Sequence, residues 1–128
     1  MVPATLLEDN MRNRICTLVL LLLLPLTATA ELYVTVIQGL DGDPEYGKQF
    51  TSQVEKLMTA SESVADKQRV HLFSGVEANR DNILKYFEKL ATTTKAEDRL
   101  AVFMVGHGSF DGYEYKFNIP GPDLTDTD

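Results

Sequence analysis

Apolar residues along the chain fall into three short β-branched runs separated by two stretches with helical spacing. Leu32 to Gln38 reads Leu-Tyr-Val-Thr-Val-Ile-Gln and is ended by Gly39, Gly42 and Pro44, which predicts a strand followed by a loop. From Glu45 the period changes, and Phe50, Val54, Leu57 and Met58 line one face of a helix that fades near Ser61 to Ser63. Arg69 to Phe73 predicts a second short strand, closed by Ser74 and Gly75, with His71 as a half-exposed strand residue. Asn79 stands where a second helix needs its N-cap, with Asp81 in the first turn and Ile83, Phe87 and Leu90 on one face. After the polar stretch Thr92 to Asp98, Leu100 to Val105 is uninterruptedly apolar, the pattern of a parallel strand buried on both faces.

The order βαβαβ predicts an α/β domain with a parallel sheet. Two helices can hardly cover three strands on both faces. The pattern therefore predicts a domain that lacks its second half, marginally stable alone, whose third strand exposes one face and an edge. The stretch from Gly121 to Asp128 is expected to end in a loop and add no strand. Its Asp123, Asp126 and Asp128 lack the spacing of a calcium loop and read as solvated carboxylates.

Residues 1–30 read as a signal peptide. Arg12 and Arg14 precede an uncharged apolar run from Ile15 to Leu24, followed by Pro25, Leu26 and the small residues Thr27 to Ala30. The run is shorter than the ~20 residues an apolar helix needs to cross a bilayer. Ala28 and Ala30 supply the small side chains read before the cut, so cleavage is expected between Ala30 and Glu31. Glu8 and Asp9 do not suit a positively charged leader, and Met11 is the better initiator. Export to the periplasm or medium follows, with no stable membrane insertion once the leader is gone. Residues 31–128 then form the exported part.

Composition narrows the partners. Among 128 residues, 12 basic and 19 acidic side chains give a formal charge of −7, which repels phosphate backbones and anionic lipid, so nucleic acid is not an expected partner. Cys16 is the single cysteine, which excludes an intrachain disulfide and leaves no zinc-binding cluster. No metal site and no cofactor are expected.

Directly after the apolar strand comes Gly106-His107-Gly108-Ser109-Phe110-Asp111-Gly112. Reactive groups of open α/β sheets collect at the carboxyl ends of their strands, and flanking glycines allow a ligand to approach the backbone. Histidine ordinarily titrates near neutrality and so serves as general base and then general acid. Taken alone, the tripeptide reads first as a turn whose histidine caps or packs.

The wider context changes that reading. The segment Asp98-Arg-Leu-Ala-Val-Phe-Met-Val-Gly-His-Gly-Ser, with Tyr115 to Leu124 after it and Ala78-Asn-Arg-Asp-Asn-Ile-Leu upstream, resembles the histidine-loop region of the caspase and legumain cysteine-peptidase clan. It is similar to exported bacterial proteins grouped with the legumain-type (C13) peptidases. The resemblance implies a partial caspase-like three-layer fold, and makes residues 31–128 the N-terminal part of a peptidase domain acting on peptides or proteins. It implies that His107 is the catalytic histidine and that the backbone N–H of Gly108 helps form an oxyanion hole.

The family's nucleophile is a cysteine following the next strand, and no cysteine follows His107, so this chain alone is expected to be inactive. Ser109 sits too close on a tight loop to aim its Oγ at the ring. Tyr46 and Lys48 fall where the family builds its substrate pocket, although Gly47 departs from the basic pair found there. Two other functions compete: a non-catalytic caspase-like binding or assembly module, and an unrelated doubly wound domain binding a ligand through Gly39 to Gly47. Against the last, that loop lacks phosphate-loop spacing and carries Asp41, Asp43 and Glu45.

Overall fold

A computed structural model describes residues 29–128. The leader read over residues 1–30, with Met11 and Cys16, therefore lies almost wholly outside the described residues. Its last residue, Ala30, is exposed.

β1 (Leu32–Gln38) lies at the centre of a parallel sheet, between β2 (Val70–Phe73) and β3 (Arg99–Val105). Val34 pairs with Val70, and Leu32 through Gln38 pair in register with Arg99 through Val105. α1 (Pro44–Val64) links β1 to β2, and α2 (Arg80–Thr93) links β2 to β3. The protein is thus mixed α/β, with the three strands and two helices in the order their spacing predicts.

The two-residue period of β1 divides the core. Val34 and Val36 face α1 and pack with Phe50, Val54 and Val105. Ile37 faces the other way, into a core with Phe73, Ala78 and Ile83 beneath α2. Both helices start on side-chain caps. Asp43 accepts from Glu45 N–H at 2.8 Å with Pro44 opening α1, and Asn79 accepts from Asn82 N–H at 3.0 Å. No helix among the described residues is long and apolar enough to cross a membrane.

As two helices over three strands lead one to expect, the third strand exposes a face and an edge: β3 lies at the side of the sheet, and Leu100, Val102, Phe103 and Met104 remain 40–48% exposed. α2 sits over β1 and β2 and leaves Leu100, Val102 and Met104 bare on its face of β3, while Phe103 lies on the opposite face, level with Val36.

One expectation is corrected, because the C-terminal stretch is more than a loop. β4 (Gly108–Phe110), β5 (Tyr115–Phe117) and β6 (Leu124–Thr125) form a small antiparallel sheet. Asp111-Gly112 makes its first turn: the Asp111 carboxylate accepts from the N–H groups of Tyr113 and Glu114, and Gly112 takes φ 97°. Lys116 Nζ bonds the second Asp111 oxygen at 2.9 Å and holds that carboxyl down at about 2.

Phe110 and Tyr115 stack at 4.4 Å. Ile119 and Leu124 are buried in the core beneath α2, which fastens the small sheet to the large one. Two carboxylates expected to be solvated hold this segment together. Asp123 accepts from Ile119 N–H and Asn118 Nδ2, and Asp128 accepts from Thr125 N–H and pairs with Arg80.

Candidate functional site

The carboxyl ends of β1 and β3 come together at two glycines. Gly39 N–H donates to Val105 O at 2.9 Å, and the Phe117 ring lies across Gly39 and Gly106. A Cβ at Gly106 would stand 2.9 Å from Phe117 Cζ and 3.1 Å from Gly39 Cα, while one at Gly39 would stand 2.5 Å from the Asn118 carbonyl oxygen. Both positions require glycine because the hairpin backbone and ring dock directly on the strand ends.

His107 follows, half-buried, with its ring held on several sides. Its Nε2 lies 3.1 Å from the carbonyl oxygen of Asp41. A carbonyl only accepts, so Nε2 carries the proton, and in the neutral ring Nδ1 keeps the lone pair. Tyr46 and Phe50, one turn apart on α1, meet the imidazole edge-on at centroid distances of 4.8 and 5.1 Å. Phe50 is buried beneath the ring, whereas Tyr46 is exposed and leaves its side of the site open to solvent.

Gly108 opens β4, and its place in the ladder decides where its N–H points. Asn118 N–H donates to His107 O at 3.0 Å, and Asp111 N–H to Glu114 O. Alternation along an antiparallel pair puts Gly108, opposite Phe117, in the other phase, with its N–H turned away from β5. That donor is therefore not consumed by the hairpin. Ser109 pairs with Lys116, and no hydrogen bond joins it to His107 among the described residues.

Of the two residues expected in the substrate pocket, Tyr46 touches the histidine itself. Lys48 is exposed and lines an open hollow of about 480 Å³ with Asp41, Pro44, Gly47, Thr51 and Glu55. The Asp41 carboxylate occupies the space that a side chain at Gly47 would enter. His71 stands apart on β2, stacked on Tyr86 at 4.5 Å, and burial lowers its pKa. Glu31, the expected first exported residue, donates its backbone N–H to Asp98 at 2.9 Å and pairs its carboxylate with Arg69.

Two groups at the site were not read from the sequence as functional. Phe50 carries only the signal of a core position, and a backbone carbonyl such as that of Asp41 has no side-chain signature at all. Among the described residues, no three His, Cys, Asp or Glu side chains gather in a way that could hold a metal ion. Compared with protein families, curated proteins and solved structures, the chain matches none.

Proposed function

We propose that His107 is the general base, and then the general acid, of a peptide-hydrolysing centre of the caspase and legumain type, and that these residues form the N-terminal, histidine-bearing portion of it. The observation that carries this reading is the Nε2 contact with the Asp41 carbonyl. It leaves Nδ1 as the basic nitrogen of a ring already clamped by Tyr46 and Phe50.

In the proposed reaction Nδ1 takes the proton of a thiol, and the thiolate attacks the scissile carbonyl. Gly108 N–H donates to the oxyanion that develops. The imidazolium then returns its proton to the leaving amine, and water, activated by the same nitrogen, releases the acyl group. The thiol belongs to a strand outside the 128 residues, since Cys16 precedes the site and falls within the proposed leader. Export is part of the proposal: a cut after Ala30 leaves a new α-amine at Glu31 beside the Asp98 carboxylate. A second reading, a binding module without catalysis, is favoured by the bare edge of β3.

Nitrogen-15 NMR of the histidine side chains tests the base assignment. Neutral His107 should be the Nε2–H tautomer, and the 128-residue chain should cleave no peptide. A dominant Nδ1–H tautomer refutes the role given to Nδ1. Peptide cleavage by this chain, lost in His107→Ala, refutes the need for an external thiol.

A further inference from the structure

Asp-Gly occurs twice in the chain, at Asp41-Gly42 and Asp111-Gly112, and the fold treats the two pairs differently. Both glycines take a left-handed φ, 66° and 97°, in open space, with nothing within 4 Å of a Cβ. The carboxylates before them are the difference. That of Asp111 accepts from Lys116 Nζ and from the N–H groups of Glu114 and Tyr113, which hold it in the turn and lower its pKa to about 2. That of Asp41 accepts no hydrogen bond and joins no ion pair among the described residues; it is exposed and rests against Gly47. Gly42 N–H makes no main-chain hydrogen bond there either. Neither group has to give up a partner to meet the other.

We propose that Asp41-Gly42 is a site of self-modification, where the Asp41 side chain closes on the Gly42 nitrogen to a succinimide that reopens to isoaspartate and leaves a carboxylate facing His107. In the first step the Gly42 nitrogen bonds to Asp41 Cγ, and the carboxyl hydroxyl leaves as water with the amide proton. In the second, water adds to one of the two imide carbonyls. Addition at Cγ restores aspartate. Addition at the main-chain carbon breaks its bond to the Gly42 nitrogen, so the chain runs on through Cγ, one methylene longer, and the former peptide carbonyl becomes a free carboxylate.

The oxygen transformed in this way is the one that lies 3.1 Å from His107 Nε2. Its carbon stays bonded to the Asp41 Cα, which follows directly on Leu40, and Leu40 N–H is fastened to Asn118 O at 2.8 Å. The added length therefore goes to the Gly42 side, and the new charge stays beside the ring. A carboxylate holds an N–H by a charge-assisted bond, roughly twice as strong as one to a neutral oxygen. The step needs no partner or cofactor, and it rests on the Asp41–His107 contact rather than on the proposed hydrolysis.

Warm incubation of the folded 128-residue chain at mildly acidic pH tests this, because ring closure draws on protonated carboxyl groups. Peptide mapping by electron-transfer dissociation, which cuts across the extra methylene, counts isoaspartate at both positions. A carboxyl at about 2 is protonated on the order of 50-fold less often than an ordinary aspartate. Isoaspartate should therefore form at residue 41 at least ten-fold faster than at residue 111, through a transient species lighter by one water. Lys116→Met, by releasing Asp111, should narrow that difference, and Gly42→Ala should slow residue 41 by about ten-fold through crowding of the nitrogen. The His107 ring signals in NMR should change in step with the fraction modified at residue 41.

Equal rates at the two positions overturn the proposal, since they place the reaction in unfolded chains, where both pairs are alike. So does a residue 41 that stays intact while a short peptide spanning Leu40 to Asp43 converts under the same conditions. His107 signals that ignore the modification overturn it too, by separating the new carboxylate from the ring. Should either variant fail to fold, the two positions in the unaltered chain decide alone. The tautomer of His107 in fresh protein, on which the general-base reading depends, is untouched by any of these outcomes.

Discussion

Replacing Gly39 by alanine should damage the fold and the histidine site together, through a single methyl group. The new Cβ would lie 2.5 Å from the Asn118 carbonyl oxygen and 2.9 Å from Phe117 Cζ, and the first of these is backbone that cannot rotate away. Relief requires Asn118 to retreat by about an ångström, which breaks the 2.8 Å bond that its carbonyl accepts from Leu40 N–H. Forced overpacking costs about 1–3 kcal/mol, and the lost hydrogen bond about 1 kcal/mol more. A total near 3 kcal/mol is a large fraction of a stability of roughly 5–15 kcal/mol, and at a urea slope of about 1.5 kcal/mol/M it lowers the midpoint by about 2 M.

Gly42→Ala is the matched control. Gly42 has φ 66° and nothing within 4 Å of a Cβ, so only conformational strain, about 1 kcal/mol, is added. Urea unfolding followed by circular dichroism reads both variants. Histidine NMR reads the second consequence, since Asn118 N–H holds His107 O and Asp41 lies two residues beyond Gly39. If Gly39→Ala loses no more than Gly42→Ala and leaves the His107 resonances in place, the close docking of the hairpin on the strand ends is wrong.

Two further outcomes are expected. Phe50→Ala should lose about 3–5 kcal/mol in denaturant unfolding, because the ring is 8% exposed within the α1 core, and should broaden or shift the His107 ring signals by removing one wall of the clamp. A His71 effect should appear in acid: burial lowers its pKa, so the folded protein binds fewer protons than the unfolded chain near that pH. Its contribution is complete above the ordinary histidine value of 6.5 and is lost as pH falls through the lower folded value. His71→Gln should flatten this part of the stability profile measured between pH 7.5 and about 5, and an unchanged slope would rule it out.

Much of this protein is local enough to be read along the chain. β1 is found over the residues its β-branched run marks, and α2 starts on Asn79 as its capping chemistry requires, whereas the Asp43 cap of α1 was not read from the sequence. These features depend on a residue and its next few neighbours, which the sequence displays directly. The place of His107 directly after the third strand, between Gly106 and Gly108, was also legible. The C-terminal sheet was readable only in part: Asp111-Gly112 is a turn signal, but the strands beside it are two or three residues long and owe their place to Ile119 and Leu124 entering a distant core.

Other properties were settled only when the chain closed on itself. An apolar run such as β3 has the same pattern whether it lies at the centre of a sheet or at its side, and the strand order β2-β1-β3, with α2 packed over β1 and β2, decided which of its surfaces are covered. Asp41 and His107 stand 66 residues apart, and the atom that sets the tautomer is a main-chain oxygen, common to every residue type. Tyr46 and Phe50 reach the ring because α1 crosses the end of the sheet there. Side-chain types and their spacing report what a segment prefers by itself, while the neighbours of a strand and the partner of a ring nitrogen depend on contacts between segments remote in sequence, which come into being only with the tertiary fold.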